Sequence, residues 1–108
     1  MKHFLDTTNM VFTVSKDVEE KVDQNKVQRR DRDGRPMWSV QVVAMQAGEG
    51  ASVISVTVAG EMPKVNLGQT VTLASFEAMP WNQNGKHGVA YRATEIKPLA
   101  GPSGKAGS

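Results

Sequence analysis

Thr70-Val-Thr-Leu-Ala-Ser-Phe-Glu-Ala-Met79, then Pro80-Trp-Asn-Gln-Asn-Gly85, then Lys86 and His87-Gly-Val-Ala-Tyr-Arg-Ala-Thr-Glu-Ile-Lys97 is the stretch on which the fold turns. Two β-rich runs flank a polar connection. Asn84-Gly85 within it is the strongest short hairpin signal, because both residues tolerate the positive φ of a tight turn. The stretch therefore predicts two strands joined by a tip that holds Trp81 beside Lys86 and His87. An aromatic ring next to positive charge on such a tip suits an unpaired nucleic-acid strand, with bases stacking on the ring and phosphates meeting the cations.

Outward from this hairpin the pattern stays β. Residues 37–45 alternate, with Trp38, Val40, Val42 and Ala44 on one face and Ser39 and Gln41 on the other. Gly48-Glu-Gly50 breaks the run, and in residues 52–59 Ile54, Val56 and Val58 alternate with Ser55, Thr57 and Ala59. Residues 10–14 are strand-like. Residues 18–22 fit either a strand continuation or one helical turn. Residues 26–30 read as a further strand before the hairpin signal Asp33-Gly34. Residues 60–68 hold a proline and too few helix formers for a sizeable helix.

Short strands at this spacing, with turn signals between them, predict an all-β fold. The favoured form is a small five- to six-stranded oligonucleotide-binding (OB-fold) barrel. An immunoglobulin-like sandwich is the alternative, and it usually needs about seven strands. The expected organisation is a flexible N-terminal arm over 1–9, the barrel domain over 10–99, and a disordered Gly/Pro/Ser/Ala tail over 100–108.

The chain of 108 residues is 39% hydrophobic, which suits one domain with a small core. It contains no cysteine, so neither a disulfide framework nor a thiolate metal site is expected. No run reaches the length of a membrane helix and no secretory leader opens the chain, which predicts a cytoplasmic protein with no membrane partner. His3 and His87 belong to no ligand-spaced cluster, no phosphate loop precedes a helix, and nothing marks a nucleophile. No catalytic, metal or cofactor site is expected, and an enzyme is disfavoured.

The net charge is only +2, so the placement of charge matters more than its sum. Asp17, Glu19, Glu20 and Asp23 make an acidic stretch, and Lys26, Arg29, Arg30, Arg32 and Arg35 follow against Asp31 and Asp33. Arginine suits phosphate forks and base stacking, but a charged hairpin tip is also how many turns stay solvated. Both readings stand for Arg29, Arg30, Arg32 and Arg35. Trp81 has little apolar company among its polar neighbours, which favours a stacking platform over a lid on the barrel end. Trp38 shares the parity of Val40 and reads as a core aromatic with room for partial exposure at its strand start. Phe76 shares the parity of Thr72 and Ala74, opposite Val71 and Leu73, so an exposed, base-contacting face stands beside a core role. Tyr91 reads as core. Arg92 sits between Ala90 and Thr94, where small neighbours let a strand approach its guanidinium. The candidate DNA-binding set is Arg29, Arg30, Arg32, Arg35, Trp38, Phe76, Trp81, Lys86 and Arg92.

Three segments carry a family resemblance. They are Asp33-Gly-Arg-Pro-Met-Trp-Ser-Val-Gln-Val-Val-Ala44, Ser55-Val-Thr-Val-Ala-Gly60, and residues 67–73 with 81–85 and 90–96. Over residues 10–99 the chain resembles the bacterial single-stranded DNA-binding protein family. The resemblance implies an OB-fold, a stacking role for Trp81 and a tetramer, while the open edges of a small barrel invite pairing as a dimer. The chain departs from the family in its short 61–67 link, where the family has a helix, and in Val53 and Ile54, where it has an aromatic. A second stretch, Asn25-Lys-Val-Gln-Arg-Arg-Asp-Arg-Asp-Gly-Arg-Pro-Met-Trp-Ser-Val-Gln-Val42, is similar to a signature of replication, integration and excision activators of actinobacterial plasmids and integrative elements. It implies a mobile-element accessory protein working with replication or excision proteins. The competing expectation is a protein-interaction or regulatory β-barrel without nucleic-acid binding, since fold does not fix function.

Overall fold

The computed structural model describes residues 3–4 and 7–99. Its strands, in chain order, are β1 (His3–Phe4), β2 (Met10–Val14), β3 (Glu19–Glu20), β4 (Met37–Gln46), β5 (Gly50–Ala59), β6 (Thr70–Ala74), β7 (Glu77–Gln83), β8 (Lys86–Arg92) and β9 (Glu95–Pro98). The protein is all-β. Among the described residues there is no helix, and so none long and apolar enough to cross a membrane.

The β4–β5 pair is the spine, in unbroken antiparallel register from Met37↔Ala59 to Gln46↔Gly50. Its alternation is the one that the sequence implies. Val40, Val42, Val56 and Val58 point inward and are almost wholly buried, while Ser39, Gln41, Ser55 and Thr57 share the outer face. Branched side chains pack well on a pleated surface, and each fully buried valine contributes about 1.5–3 kcal/mol. Phe12 and Val14 of β2, Val71 and Leu73 of β6, and Ile96 of β9 complete the core. Val65 joins it from the 60–69 link, which forms no strand. Gln69 and Gly68 tie that link to Val14 by two backbone hydrogen bonds of 2.8 Å.

Strand pairing follows the path β1-β7-β8-β5-β4-β2-β6-β9, with β3 attached to β4. The two ends do not pair with each other, so the sheet is open where a closed barrel of five to six strands is expected. The larger strand count has a local cause. The single run expected over residues 70–79 is broken at Ser75, which adopts a left-handed φ of 51° and separates β6 from β7. Its partner run breaks opposite, at Ala93 and Thr94. There the Thr94 N–H donates to the Ala74 carbonyl (2.9 Å) and the Ala93 N–H to that of Thr57 (3.0 Å).

The kink at Ser75 also overturns the outward reading of Phe76. One left-handed residue shifts the inside–outside alternation, so Phe76 turns inward and is 3% exposed. Its ring meets Phe12 edge-on at 5.4 Å and stacks on Tyr91 at 5.6 Å. Tyr91 accordingly packs on the core, as its parity implies.

Residues 21–36 do not form the strand expected over 26–30. Isolated bridges Val22↔Gln28 and Arg30↔Pro36 bracket two tight turns instead. The carboxylates of Asp23 and Asp31 organise these turns by accepting backbone N–H groups, those of Asn25 and Val27 in the first and of Asp33 and Arg35 in the second. Val27 is 59% exposed, so the segment has little apolar surface to hold it flat in a sheet. In the N-terminal segment, His3↔Ala78 and Phe4↔Glu77 pair β1 with β7. The tail over 100–108 lies outside the described residues.

Candidate nucleic-acid interface

The β7–β8 hairpin carries the exposed indole. Asn84 (φ 54°) and Gly85 (φ 81°) both take the left-handed conformation that a two-residue hairpin turn needs. Pairing therefore continues up to Gln83↔Lys86. Trp81 consequently sits within β7, opposite Gly88, rather than in a loop tip as the sequence suggests. A Cβ placed on Gly88 would fall 2.7 Å from Cζ2 and 2.9 Å from Cε2 of the indole. The ring thus rests on bare backbone, which only glycine leaves open, and it remains 46% exposed. On β8, Lys86 and Arg92 share the face of Gly88, so both cations lie on the indole's side of the sheet.

This face continues onto β5. Strands β5 and β8 pair in parallel only at Val56↔Tyr91 and Thr57↔Arg92, and the segments preceding them diverge. A groove of about 360 Å³ opens there, lined by Lys21, Ser55, Thr57, Trp81, Val89 and Tyr91 among others. Thr57 also lines a second groove with Arg35, Met37, Arg92 and Thr94. The two adjoin at Thr57, forming one track from Arg35 to Trp81.

Charge along this track is partly committed. Glu77, 6% exposed, accepts from Nε of Arg92 and fixes that guanidinium at the sheet surface. Asp31 receives Arg35 in a fork, Nε at 2.9 Å and Nη2 at 2.8 Å, and Asp33 stands 3.8 Å from the same group. The hydrogen bond from the Arg35 backbone N–H leads in holding the Asp31 carboxyl below its ordinary pKa. Lys21 is half-buried and donates to the Thr57 hydroxyl at 2.8 Å. Burial, and secondly the like charge of Arg29, lowers the pKa of this ammonium.

The sequence-derived candidates thus divide. Trp81, Arg35 and Arg92 line the track, with Lys86 on the same face. Arg29 stands close enough to Lys21 to repel its charge. Arg30 folds back on its own turn, Nη1 donating to the Gly34 carbonyl at 2.8 Å, and neither Arg30 nor exposed Arg32 lines either groove. Trp38 lies on the inner face opposite Val58 and spends its indole N–H on the Gly60 carbonyl at 2.8 Å. Phe76 is sealed in the core and offers no ring to a base. Sequence reasoning missed Lys21, Thr57, Glu77 and Gly88. Thr57 had a signal, its outward parity on β5. Gly88 had one as well, since the two-residue turn at Asn84-Gly85 puts it opposite Trp81, whereas Lys21 and Glu77 depend on partners 36 and 15 residues away. No family model, no curated protein and no solved structure matches this chain.

Proposed function

We propose that this chain is a single-stranded DNA-binding protein of OB-like architecture, a non-catalytic accessory factor in replication or transfer of a plasmid or integrative element. The observation that carries the reading is Trp81: an indole seated on Gly88, open to solvent, at the end of a groove with a lysine in its wall. A base stacks on such a ring regardless of its identity, while Arg29 and Lys86, which have no ion-pair partner among the described residues, meet the phosphates. The strand order supports the architecture. Taken with their bends, β6–β7 and β8–β9 act as two long strands beside β2, β4 and β5, as in a partly open barrel. Self-association belongs to the proposal too, since β1 covers only Glu77 and Ala78 of β7 and leaves the rest of that edge free among the described residues.

Titrating the protein with oligo-dT at two salt concentrations tests the function. Quenching of tryptophan fluorescence is expected, with weaker binding at higher salt. A chain that shows neither quenching nor salt-sensitive binding is instead a protein-interaction module.

A further inference from the structure

The groove beside Trp81 differs from an ordinary stacking surface in what lines its wall. Lys21 is half-buried there and held in place by Thr57, and apolar Val53 and Ala90, on the face of Thr57 and Trp81, line the same groove. One ammonium hydrogen goes to the Thr57 hydroxyl oxygen, so two remain to donate. That hydroxyl, having accepted, keeps its own proton for a ligand. The groove is therefore rich in donors, and the only carboxylates that line the track among the described residues, those of Asp31 and Glu77, line the other groove.

We propose that this groove reads the base stacked on Trp81 and prefers one with a keto oxygen, thymine or guanine, over one presenting an amino group at the same edge. The inference rests on the single-strand-binding reading and extends it to base selection. A keto oxygen accepts from Lys21, whereas the exocyclic amino group of adenine or cytosine meets it donor to donor. A phosphate oxygen would also accept. However, apolar walls suit the faces of a base better than an anion, and exposed Arg29 and Lys86 already offer phosphate better-solvated partners. The lowered pKa of Lys21 reflects the same partial exclusion of water.

Thymine and 5-methylcytosine share ring size and methyl group but differ at the edge concerned. Labelled oligomers of each, of equal length, are titrated against the full chain and followed by anisotropy, with tryptophan quenching as a second readout. About tenfold tighter binding of the thymine oligomer is expected. In Lys21→Met that ratio collapses toward one while quenching by the thymine oligomer persists. Equal affinity for the two oligomers with quenching intact overturns the inference and leaves the single-strand reading standing. A Lys21→Met protein that keeps the ratio, or that loses affinity equally for both oligomers with a shallower salt dependence, also overturns it, the latter by marking Lys21 as a phosphate contact. Failure to bind either oligomer removes the parent reading as well. Should Lys21→Met not fold, the comparison on the parent protein decides alone.

Discussion

Two aromatic residues five positions apart have opposite roles, and substitution separates them. Trp81 rests on Gly88 with its surface half open, so Trp81→Ala removes little core contact. Labelled oligo-dT should lose about 1–3 kcal/mol of binding per stacked base, with the melting temperature almost unchanged. Gly88→Ala should weaken binding in the same direction, because the new methyl displaces an indole side chain that is free to move outward. Equal affinity of Gly88→Ala and parent would show that the seating on Gly88 does not matter. Phe76 lies between Phe12 and Tyr91 in the core, and Phe76→Ala should cost about 3–5 kcal/mol in denaturant unfolding. A near-neutral result there would contradict the inward turn at Ser75.

Between neighbouring elements, legibility followed the range of the signal. β4 and β5 were readable because valines at every second position need no information beyond their own strand. The Asn84-Gly85 turn was readable for the same reason, but its tightness was not carried through to Trp81, which it places inside a strand. The bend at Ser75 left no mark, since serine in a left-handed conformation is held by the opposite break at Ala93 and Thr94, far along the chain. Lys21 looked like one lysine in an acidic stretch, and only the passage of β5 beside it makes it part of a groove. The 31–35 turn shows how one carboxylate can replace a sheet ladder. Asp31 accepts the backbone N–H groups of Asp33 and Arg35 and pairs with the Arg35 guanidinium. Because its folded pKa lies below the ordinary 3.8, folding favours the ionised form. Its stabilising contribution is complete above that ordinary value and is lost as pH falls through the lowered one. Asp31→Ala should therefore reduce stability at neutral pH, and the gap from the parent should close in strongly acidic solution. Thermal melts of both proteins across that range check it, and a gap independent of pH would refute the ionic role.

For the molecule as a whole, a net charge of +2 gives little long-range attraction for a polyanion. Any electrostatic affinity must come from cations placed at the track, and the number free to act is smaller than the arginine count suggests. Arg92 is engaged by Glu77 and Arg35 by Asp31, whereas Arg29 and Lys86 have no ion-pair partner among the described residues. Each phosphate contact to a single strand steepens the dependence of log affinity on log salt by about 0.7. If Arg29 and Lys86 carry the phosphates alone, the slope is about −1.4; if Arg35 and Arg92 each take a phosphate as well, it approaches −2.8. We expect the shallower value, because a carboxylate already fixed beside a guanidinium neutralises much of what a phosphate would meet. Lys86→Ala should then remove about half of the slope. A slope near −2.8 in the parent would mean that the strand displaces Asp31 and Glu77 from their arginines. In that case Glu77→Gln should bind oligo-dT more tightly than the parent, and affinities of the two proteins across a salt series would read that exchange directly.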